Sequence, residues 1–482
     1  MLRRPLSSPT REAPARYPLQ NVVFVVGFLV CAVVYLAIMM ASLNVPRLPP
    51  MPVQRRSHPS VPLYWKTDPN LQPDTVRSRF RYWEYVPRIK RPDYELVDAT
   101  NEEQYLTFEP DKGGLNNKRM MMEIMVVLAL VTRRTFVLPS PGYWTTMQGI
   151  CDLETYFDID ALRSFMPVIT MDEYLLRTRG KSDLITEQER YAFLRNHTGA
   201  FSPQINPGSQ AFVFPADQGR SVPTMEQFLH GRSPIYYDGA LKPWRTLHFR
   251  SDYEQGYRML GVACAAIYFP SLDWERFAAS VVRDAFHYAP AAFDAAARVA
   301  WRLYRAAGPY NAVHIRRTDF GLQFADIVLP LGQVAENIRP LLDPSMTLYV
   351  STDVQDKDDP ELVAFRAVFP KVRFLSDVSD DLADLDPNLF IMIDQIVCAG
   401  AERFISQPLS TFSSNIWRLR GFMGRDVAPD TNLYMVTDRN TGYPMVDGWR
   451  TALTWIDHPD GHFGAWSGGY WEREFFHSWQ LN

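Results

Sequence analysis

The feature that most constrains the fold is a regular alternation of short apolar strands with helices between Ala312 and Arg420. Val313 and Ile315 alternate with His314 and Arg316, which is the period-two pattern of a β-strand. Further strands are predicted at 347–352, 372–376 and 403–406, and further helices at 360–369, 390–400 and 410–420. Strands that alternate with helices predict a parallel, Rossmann-like sheet.

Polar side chains follow three of these predicted strands. They are Arg316, Arg317 and Asp319 after the first strand, Thr352 and Asp353 after the second, and Thr411, Ser413 and Ser414 at the start of the last helix. Ligands of open α/β sheets bind beyond the carboxyl ends of the strands, and arginine binds phosphate oxygens bidentately. The pattern indicates a phosphate or pyrophosphate ligand. A solvated salt bridge to Asp319 and helix capping by Ser410 or Thr411 are the structural alternatives.

A second segment, Gly113-Gly-Leu-Asn-Asn-Lys-Arg119, precedes an almost uninterrupted apolar run from Met120 to Val131. A helix that is apolar nearly all round is buried. A Gly-Gly turn at its start gathers free backbone N–H groups and the positive end of the helix dipole, which suits an anion or the polar groups of an acceptor. The alternative is that the glycines only permit a tight turn.

Several other site classes lose support from the sequence. Asp158 and Asp160 form a DxD triplet, for which we predict helix capping rather than metal binding. Glycine-rich NAD and P-loop fingerprints and a GxSxG elbow do not occur. The four cysteines show no zinc spacing, and the net charge of −4 gives no global indication of a nucleic-acid partner.

The N-terminal part predicts a membrane anchor. A basic tail (1–21) precedes an uncharged apolar run from Val22 to Leu43, and a bilayer-spanning helix needs about 20 such residues. The Pro-rich stretch 44–95 predicts an extended stem, the later part of which lies against the folded body. Asn196 begins an N-glycosylation triplet, which fits a luminal surface. We therefore expect a type II protein of the Golgi or endoplasmic reticulum membrane.

Taken together, these segments resemble the GDP-fucose-dependent fucosyltransferase superfamily, namely the protein O-fucosyltransferases and the α1,6-fucosyltransferases. Residues 113–119 are similar to the GGLNxxR opening of the O-fucosyltransferase-like group, and residues 314–319 to the HxRRxD donor motif. The later motifs recur in the family's order at 349–353, 374–377, Asp394 and 411–414. The resemblance covers roughly residues 108–425 and is thin between 165 and 300.

The resemblance implies a GT-B-like α/β fold, in which two Rossmann-like domains face a cleft. The expected acceptor-side domain is 96–305. The expected nucleotide-sugar domain is 306–482, and its end is an aromatic-rich extension. The implied reaction is transfer of fucose from GDP-fucose to a hydroxyl of a protein or glycan, with inversion, without a cofactor and without a metal ion.

Residue roles carried over from the family are expectations of the same kind. The expected catalytic residues are Arg316, Asn117 and Asp319, with Arg316 on the pyrophosphate. The expected donor-binding residues are Gly114, Asn116, Arg119, His314, Arg317, Asp353, Asp394, Thr411, Phe412, Ser413 and Ser414. Among these, His314 and Asp394 are expected to hold the guanine.

The sequence departs from the family at the catalytic base. Gly113 and Gly114 stand where some O-fucosyltransferases place a glutamate, and no acid follows between Phe320 and Ala325. Asp111 and Asp326 are the candidate bases, and a mechanism without a side-chain base is the alternative. The departure also motivates two other hypotheses: an inactive member that binds glycans or proteins as a scaffold, and a transferase of the same fold that uses another nucleotide sugar.

Overall fold

The structure is a computed structural model. It describes residues 76–77, 80–84, 89–97, 102–110, 114–144, 147–197, 199–201, 210–213, 233–237, 241–250, 266–268, 271–318, 328–354, 356–378, 382–405 and 410–423. The predicted tail, the predicted membrane span 22–43, most of the predicted stem and the aromatic-rich extension lie outside these residues. Within them, no helix combines the length and the apolar character that crossing a membrane requires.

The first part of the described chain is an α/β arrangement built on parallel strands. Its elements are β1 (Tyr105–Phe108), α1 (Leu115–Val131), β2 (Thr135–Val137), β3 (Gly142–Tyr143), β4 (Ile150–Cys151), α2 (Leu153–Tyr156), α3 (Ile159–Arg163), β5 (Val168–Ile169), α4 (Met171–Arg179), α5 (Glu187–His197), β6 (Gly199–Phe201), β7 (Gln210–Val213), β8 (Ser233–Tyr236), β9 (Thr246–Phe249), β10 (Ala266–Tyr268) and α6 (Leu272–Asp284).

These strands form three sheets. The largest is parallel throughout, in the order β5-β2-β1-β9-β6. From β1 the chain continues to β2 and β5 on one side, whereas β9 and β6 lie on the other, so the strand order reverses between β1 and β9. A three-stranded parallel sheet (β10-β7-β8) and an antiparallel hairpin (β3-β4) complete this part.

The second part repeats the parallel arrangement. Its elements are α7 (Pro290–Ala307), β11 (Tyr310–Ile315), α8 (Leu331–Ile338), β12 (Thr347–Thr352), α9 (Pro360–Val368), β13 (Val372–Arg373), α10 (Phe390–Gly400), β14 (Phe404–Ile405) and α11 (Thr411–Phe422). The sheet order is β13-β12-β11-β14, and every pair is parallel. The predicted parallel α/β architecture is confirmed, and the bounds predicted for β12 and α10 match those observed.

The core is continuous between the two parts. In α1, every residue except Asn117 is buried, as the apolar run predicted. Helix α7 begins at Pro290, because a proline at the first helical position loses no hydrogen bond there. The apolar faces of α7 and α10 join the same hydrophobic cluster as α1. Burial of apolar side chains along this cluster stabilises both sheets together.

One contact in this core involves the end of the predicted stem. Val76 and Phe80 are fully buried, and Arg81 donates to Asp294 at 2.8 Å. Phe80 packs on Gly400 of α10, where a Cβ atom would overlap the Phe80 ring. Residues 76–77 and 80–84 therefore belong to the folded body.

Candidate active site

The candidate site lies at the carboxyl end of the four-stranded sheet. His314 on β11 is the register partner of Ser351 on β12, so the two side chains share one face of the sheet. Helices α10 and α11 follow β13 and β14 and bring Asp394 and Ser413 to the same face. Four segments that are distant in sequence therefore meet at one edge, where open α/β sheets bind ligands.

His314 is a buried, neutral imidazole. Its Nδ1 lies 2.8 Å from Ser413 Oγ, and its ring stacks on Phe412 with 4.3 Å between the ring centroids. Burial, reinforced by the charge of Arg316, lowers the pKa of His314 to about 3. The ring is uncharged at neutral pH, so it offers shape and a directed hydrogen bond rather than a cation.

Asp394 is the carboxylate of the site. The Tyr349 hydroxyl donates to its Oδ1, and the Ser351 hydroxyl also donates to the carboxylate. Removal from water raises the pKa of Asp394 to about 6, against the effect of these two hydroxyls. At neutral pH Asp394 is ionised but poorly neutralised, a state that favours further hydrogen-bond donors from a ligand.

The two arginines after β11 occupy different surroundings. Arg316 is half-buried and close enough to His314 for its charge to lower the pKa of that ring. Arg317 forms an ion pair with Glu361 of α9 and donates to the Leu329 carbonyl at 2.6 Å. We expected Arg317 to bind the donor, yet these contacts direct its guanidinium toward α9.

Asp353 holds the turn that carries both arginines. Its carboxylate accepts from the backbone N–H of Arg317 at 2.8 Å and from that of Thr318 at 3.1 Å. These contacts with its own turn suit Asp353 to positioning Arg316 rather than to direct contact with a donor.

The first turn of α11 supplies the remaining polar groups on this side. Ser410 is the N-cap residue, but its side chain makes no capping hydrogen bond. The Ser414 hydroxyl donates to the Ser410 carbonyl at 3.2 Å, and Thr411 is half-buried at the helix start. Ser413 and Phe412 are the residues of this turn that contact His314.

The start of α1 reaches the same region from the other sheet. Gly114 is the N-cap, with φ −65° and ψ 176°, a conformation open to any residue, so no left-handed turn is needed at this glycine. Asn116 accepts a hydrogen bond from Gln395 of α10 at 3.0 Å. Asn117 is half-buried, and its Oδ1 is enclosed without a hydrogen-bond partner among the described residues.

Arg119 takes part in a buried ion cluster instead. It pairs with Glu123, which in turn pairs with Arg418 of α11, and all three side chains are at most 5% exposed. We expected Arg119 to contact the donor, but its Nη1 is directed into the α1–α11 interface. Its role in the structure is to join these two helices.

Several predicted residues lie away from the site or outside the described residues. Asp111, Asp319, Asp326 and Gly113 are not among the described residues. Asn196 is exposed on α5. Asp158 caps α3 by accepting from the Ala161 N–H at 2.9 Å, which confirms the capping prediction, and Asp160 pairs with Arg163. The described residues contain no group of three His, Cys, Asp or Glu side chains that could hold a metal ion.

Sequence reasoning missed Gln395, Ser351 and Asn415. A signal for Gln395 was present, because Asp394 and Gln395 are the only polar residues in the apolar helix Phe390–Gly400. Polar side chains in such a helix need buried partners. Asn415 had no local signal, since its partners, Tyr288 and Gln395, come from other segments of the chain.

A second polar cluster lies at the carboxyl end of the five-stranded sheet. His248 Nε2 is 2.9 Å from Glu109 Oε1, and Thr107 Oγ1 is 2.9 Å from His248 Nδ1. Arg195 of α5 donates to both oxygens of Glu109. Burial alone would raise the pKa of Glu109, but the hydrogen bonds from His248 and Arg195 hold it below its usual value.

Comparison with known proteins identifies a family and individual proteins that are similar to this chain. The sequence model of the family described as GDP-fucose protein O-fucosyltransferase matches residues 105–423, more than half of the chain. GDP-fucose protein O-fucosyltransferase 2 of Homo sapiens is 31% identical over 121 residues, which are 25% of this chain and 28% of that protein. The Drosophila melanogaster protein of the same name is 27% identical over 185 residues, 36% of this chain and 38% of that protein.

Two solved structures are also similar to this chain. The crystal structure of POFUT1 in complex with GDP-fucose has 14% identity and a TM-score of 0.36, covering 67% of this chain and 95% of that chain. NodZ α-1,6-fucosyltransferase soaked with GDP-fucose has 17% identity and a TM-score of 0.34, covering 66% and 92%. The chain spans about a third of the length of the curated relatives it matches. On the match over residues 105–423, the chain belongs to the GDP-fucose protein O-fucosyltransferase family.

Proposed function

We propose that this chain is a fucosyltransferase, which transfers fucose from GDP-fucose to a hydroxyl of a protein or glycan acceptor, with inversion and without a metal ion. The observation that carries the proposal is the group formed by Asp394, His314 and Phe412 beside Arg316 at one sheet edge. A carboxylate, a neutral imidazole, an aromatic ring and a cation suit a nucleoside diphosphate. Family membership supports fucose as the transferred sugar.

The donor base is assigned to the buried end of the site. An ionised Asp394 accepts hydrogen bonds from the N–H groups of guanine, and the neutral ring of His314 provides a directed hydrogen bond beside it. Phe412 holds the His314 ring by stacking, and Ser413 holds its Nδ1. Thr411 and Ser414 complete the nucleotide pocket at the α11 N-terminus, where backbone N–H groups favour anions.

Charge develops on GDP as the glycosidic bond breaks, and Arg316 is placed to stabilise it. A fixed guanidinium supplies this stabilisation without a metal ion, because it needs no rearrangement during the reaction. Asp353 and Arg317 hold the turn that presents Arg316. Gly114, Asn116 and Asn117 approach the sugar from the other sheet, and the acceptor hydroxyl attacks the anomeric carbon on the face opposite GDP.

The proton of the acceptor hydroxyl has two candidate destinations. Asp111 and Asp326 are the proposed bases, and Asp319 is a further proposed catalytic residue; all three lie outside the described residues. The names of the curated relatives support a protein hydroxyl as the acceptor.

The larger architecture is proposed on the same basis. We infer a GT-B-like arrangement, with the sheets of 96–305 and 306–482 facing the cleft between donor and acceptor. The apolar run 22–43 supports a single-pass type II anchor, with the catalytic part in the lumen of the Golgi or the endoplasmic reticulum and a glycan on exposed Asn196.

A donor panel tests the proposal. The full-length chain is incubated with GDP-fucose, GDP-mannose and UDP-sugars, with EDTA present or absent, and released nucleotide and product mass are measured. We expect turnover of GDP-fucose alone, unchanged by EDTA, and a loss of about 100-fold or more in Arg316→Ala. The matched control is Arg403→Ala, because Arg403 is an exposed cation at the opposite edge of the same sheet.

Three results would change the conclusion. Turnover of another nucleotide sugar would favour the same-fold alternative. A folded chain that binds neither GDP nor GDP-fucose would favour the scaffold alternative, which the missing glutamate in 113–119 motivates. Full activity in Arg316→Ala would refute the assignment of the leaving-group site.

A further inference from the structure

Gln395 is a fully buried amide with every hydrogen-bonding position occupied. Its Nε2 donates to Asn116 Oδ1 at 3.0 Å and to the Phe412 carbonyl at 3.0 Å. Its Oε1 accepts from Tyr288 Oη at 2.6 Å and from Asn415 Nδ2 at 3.2 Å. Two donors and two lone pairs are all that a side-chain amide has, so Gln395 has no free hydrogen-bonding position.

The orientation of this amide is fixed by a group that cannot change roles. The Phe412 carbonyl is always an acceptor, so the atom of Gln395 that faces it must be the nitrogen. The reversed amide would place oxygen against oxygen there and nitrogen against the nitrogen of Asn415. Inside a protein each mismatch leaves a buried polar group unpaired, and such a group loses its hydrogen bonds to water without replacement.

The orientation of the Asn116 amide is fixed in turn by Gln395. Because Gln395 presents a donor, Asn116 must present its oxygen, and Arg119 Nε lies on that side as well, at 3.5 Å. The Nδ2 of Asn116 has no hydrogen-bond partner among the described residues, and 5% of the residue remains exposed. The two N–H groups of Asn116 are therefore the face of this amide that a ligand can use.

Gln395 also connects this amide to the proposed donor pocket. It follows Asp394 directly on α10, and it holds the backbone of Phe412, whose ring stacks on His314. Gln395 thus links the start of α1 to the pocket through two hydrogen bonds on a single nitrogen. Movement of either helix start would break one of them.

We propose that Gln395 is a positioning residue, which locks the Asn116 amide with its oxygen inward and its Nδ2 toward the transferred sugar. This inference rests on the proposed function, since it assigns the ligand of Nδ2 to the sugar of the nucleotide-sugar donor. Gln395 itself touches no substrate. Its effect on catalysis passes through Asn116, which is what separates it from a residue that only packs the core.

A double-mutant cycle tests this route in the full-length chain. Gln395→Met keeps the shape of the side chain but removes the donor to Asn116, and we expect kcat to fall about tenfold while the Kd for GDP changes less than about threefold. Asn116→Ala should lose about 30-fold in kcat. The double variant should match Asn116→Ala within about threefold, because the Asn116 amide that Gln395 orients is then absent.

The matched control is Asn388→Leu. Asn388 is also a buried amide near the start of α10, but it bonds Gln148 and Tyr156 instead of Asn116. We expect a loss of thermal stability like that of Gln395→Met, with kcat within about threefold of wild type. If Gln395→Met does not fold, Gln395→Glu, which keeps an acceptor for Tyr288, replaces it in the cycle.

The outcomes separate the two proposals. Losses in kcat that multiply in the double variant, to about 300-fold, would overturn the positioning role. A wild-type chain inert toward every nucleotide sugar would overturn the proposed function instead. In that case the Tm values of the two single variants and the double variant replace kcat in the double-mutant cycle. Tm losses smaller in combination than in sum would support the lock between Gln395 and Asn116, and additive losses would overturn it.

Discussion

The carboxyl edges of the two parallel sheets each hold a carboxylate and a histidine, but the two carboxylates are satisfied differently. Glu109 is buried and Asp394 is half-buried. Glu109 is bound by His248 and by both donors of an Arg195 fork. Asp394 receives only hydroxyl donors, from Tyr349 and Ser351, among the described residues. The pKa of Glu109 is accordingly below its usual value, whereas burial raises that of Asp394 to about 6.

This difference shows which edge is available to a ligand. A carboxylate that already has a guanidinium has its charge neutralised within the protein, and such a pair acts mainly as a brace. A carboxylate with hydroxyl partners alone keeps an unmet demand for donors, which a ligand with N–H groups can satisfy. The strand order reverses beside Glu109, so topology alone would have favoured the first edge; the charges favour the second.

The largest expected effect is at Asp394. Asp394→Asn removes the charge and turns one acceptor into a donor, so we expect GDP affinity to fall about 100-fold. Thermal stability should not fall, because burial disfavours the ionised carboxyl that the variant removes. Calorimetry with GDP and a thermal melt measure the two quantities. A GDP affinity of Asp394→Asn within about threefold of wild type would contradict the conclusion that the Asp394 edge binds the ligand.

Glu109→Gln should show the opposite profile. Loss of the charge leaves Arg195 without its carboxylate, and a broken buried pair costs about 3–5 kcal/mol. Because the Arg195 side chain is 31% exposed, solvent screening reduces the expected loss to about 2 kcal/mol. Denaturant unfolding measures it, with GDP affinity as the control. A large loss of GDP affinity in a folded variant would contradict the assignment of Glu109 as a brace.

The two carboxylates should also titrate in separate pH ranges. GDP affinity is expected to fall about tenfold per pH unit below about 6, as Asp394 becomes protonated. His314, with a pKa of about 3, stays neutral throughout that range. The stabilisation from Glu109 is present above its unfolded pKa near 4.5 and is lost only as the pH falls through its lower folded value.

Binding and unfolding measured in parallel from pH 7.5 to 3 would resolve the two ranges. In Asp394→Asn the fall in affinity near pH 6 should be absent. A fall that persists in this variant would assign the titration to another group.

The smallest expected effect concerns Arg317. It lies at the same sheet edge as Asp394, but like Glu109 it is already paired with an opposite charge within the protein. Arg317→Ala should change GDP affinity less than about threefold and cost about 1 kcal/mol or less, because its partner Glu361 is 42% exposed. Arg316→Ala, measured beside it, is the comparison. Equal losses of GDP affinity in the two variants would indicate that Arg317 contacts the donor.

Local patterns in the sequence were sufficient for the parallel α/β architecture and for the strand ends at which the candidate site lies. Alternation predicted β11 and β12, and the polar ends of those strands located Arg316 and the His314 face. The capping role of Asp158 was also predicted, because a cap is formed within three residues of the chain.

The contacts that local patterns did not predict depend on pairing between distant segments of the chain. Gln395 meets Asn116 from 279 residues away, and His248 meets Glu109 from 139 residues away. Periodicity describes neighbours along the chain and carries no information on which distant side chains meet. For the same reason the sequence did not indicate the ion pair between Arg317 and Glu361 of α9.

The contact between Phe80 and Gly400 has a consequence for how this protein should be expressed. The family match begins at residue 105, yet α10, the helix that carries Asp394 and Gln395, rests on a ring supplied from residue 80. Loss of a buried phenylalanine costs about 3–5 kcal/mol, a large part of the stability of a typical domain. A recombinant fragment trimmed to the family match would lack this support, so the N-terminal boundary of a soluble fragment belongs upstream of Val76.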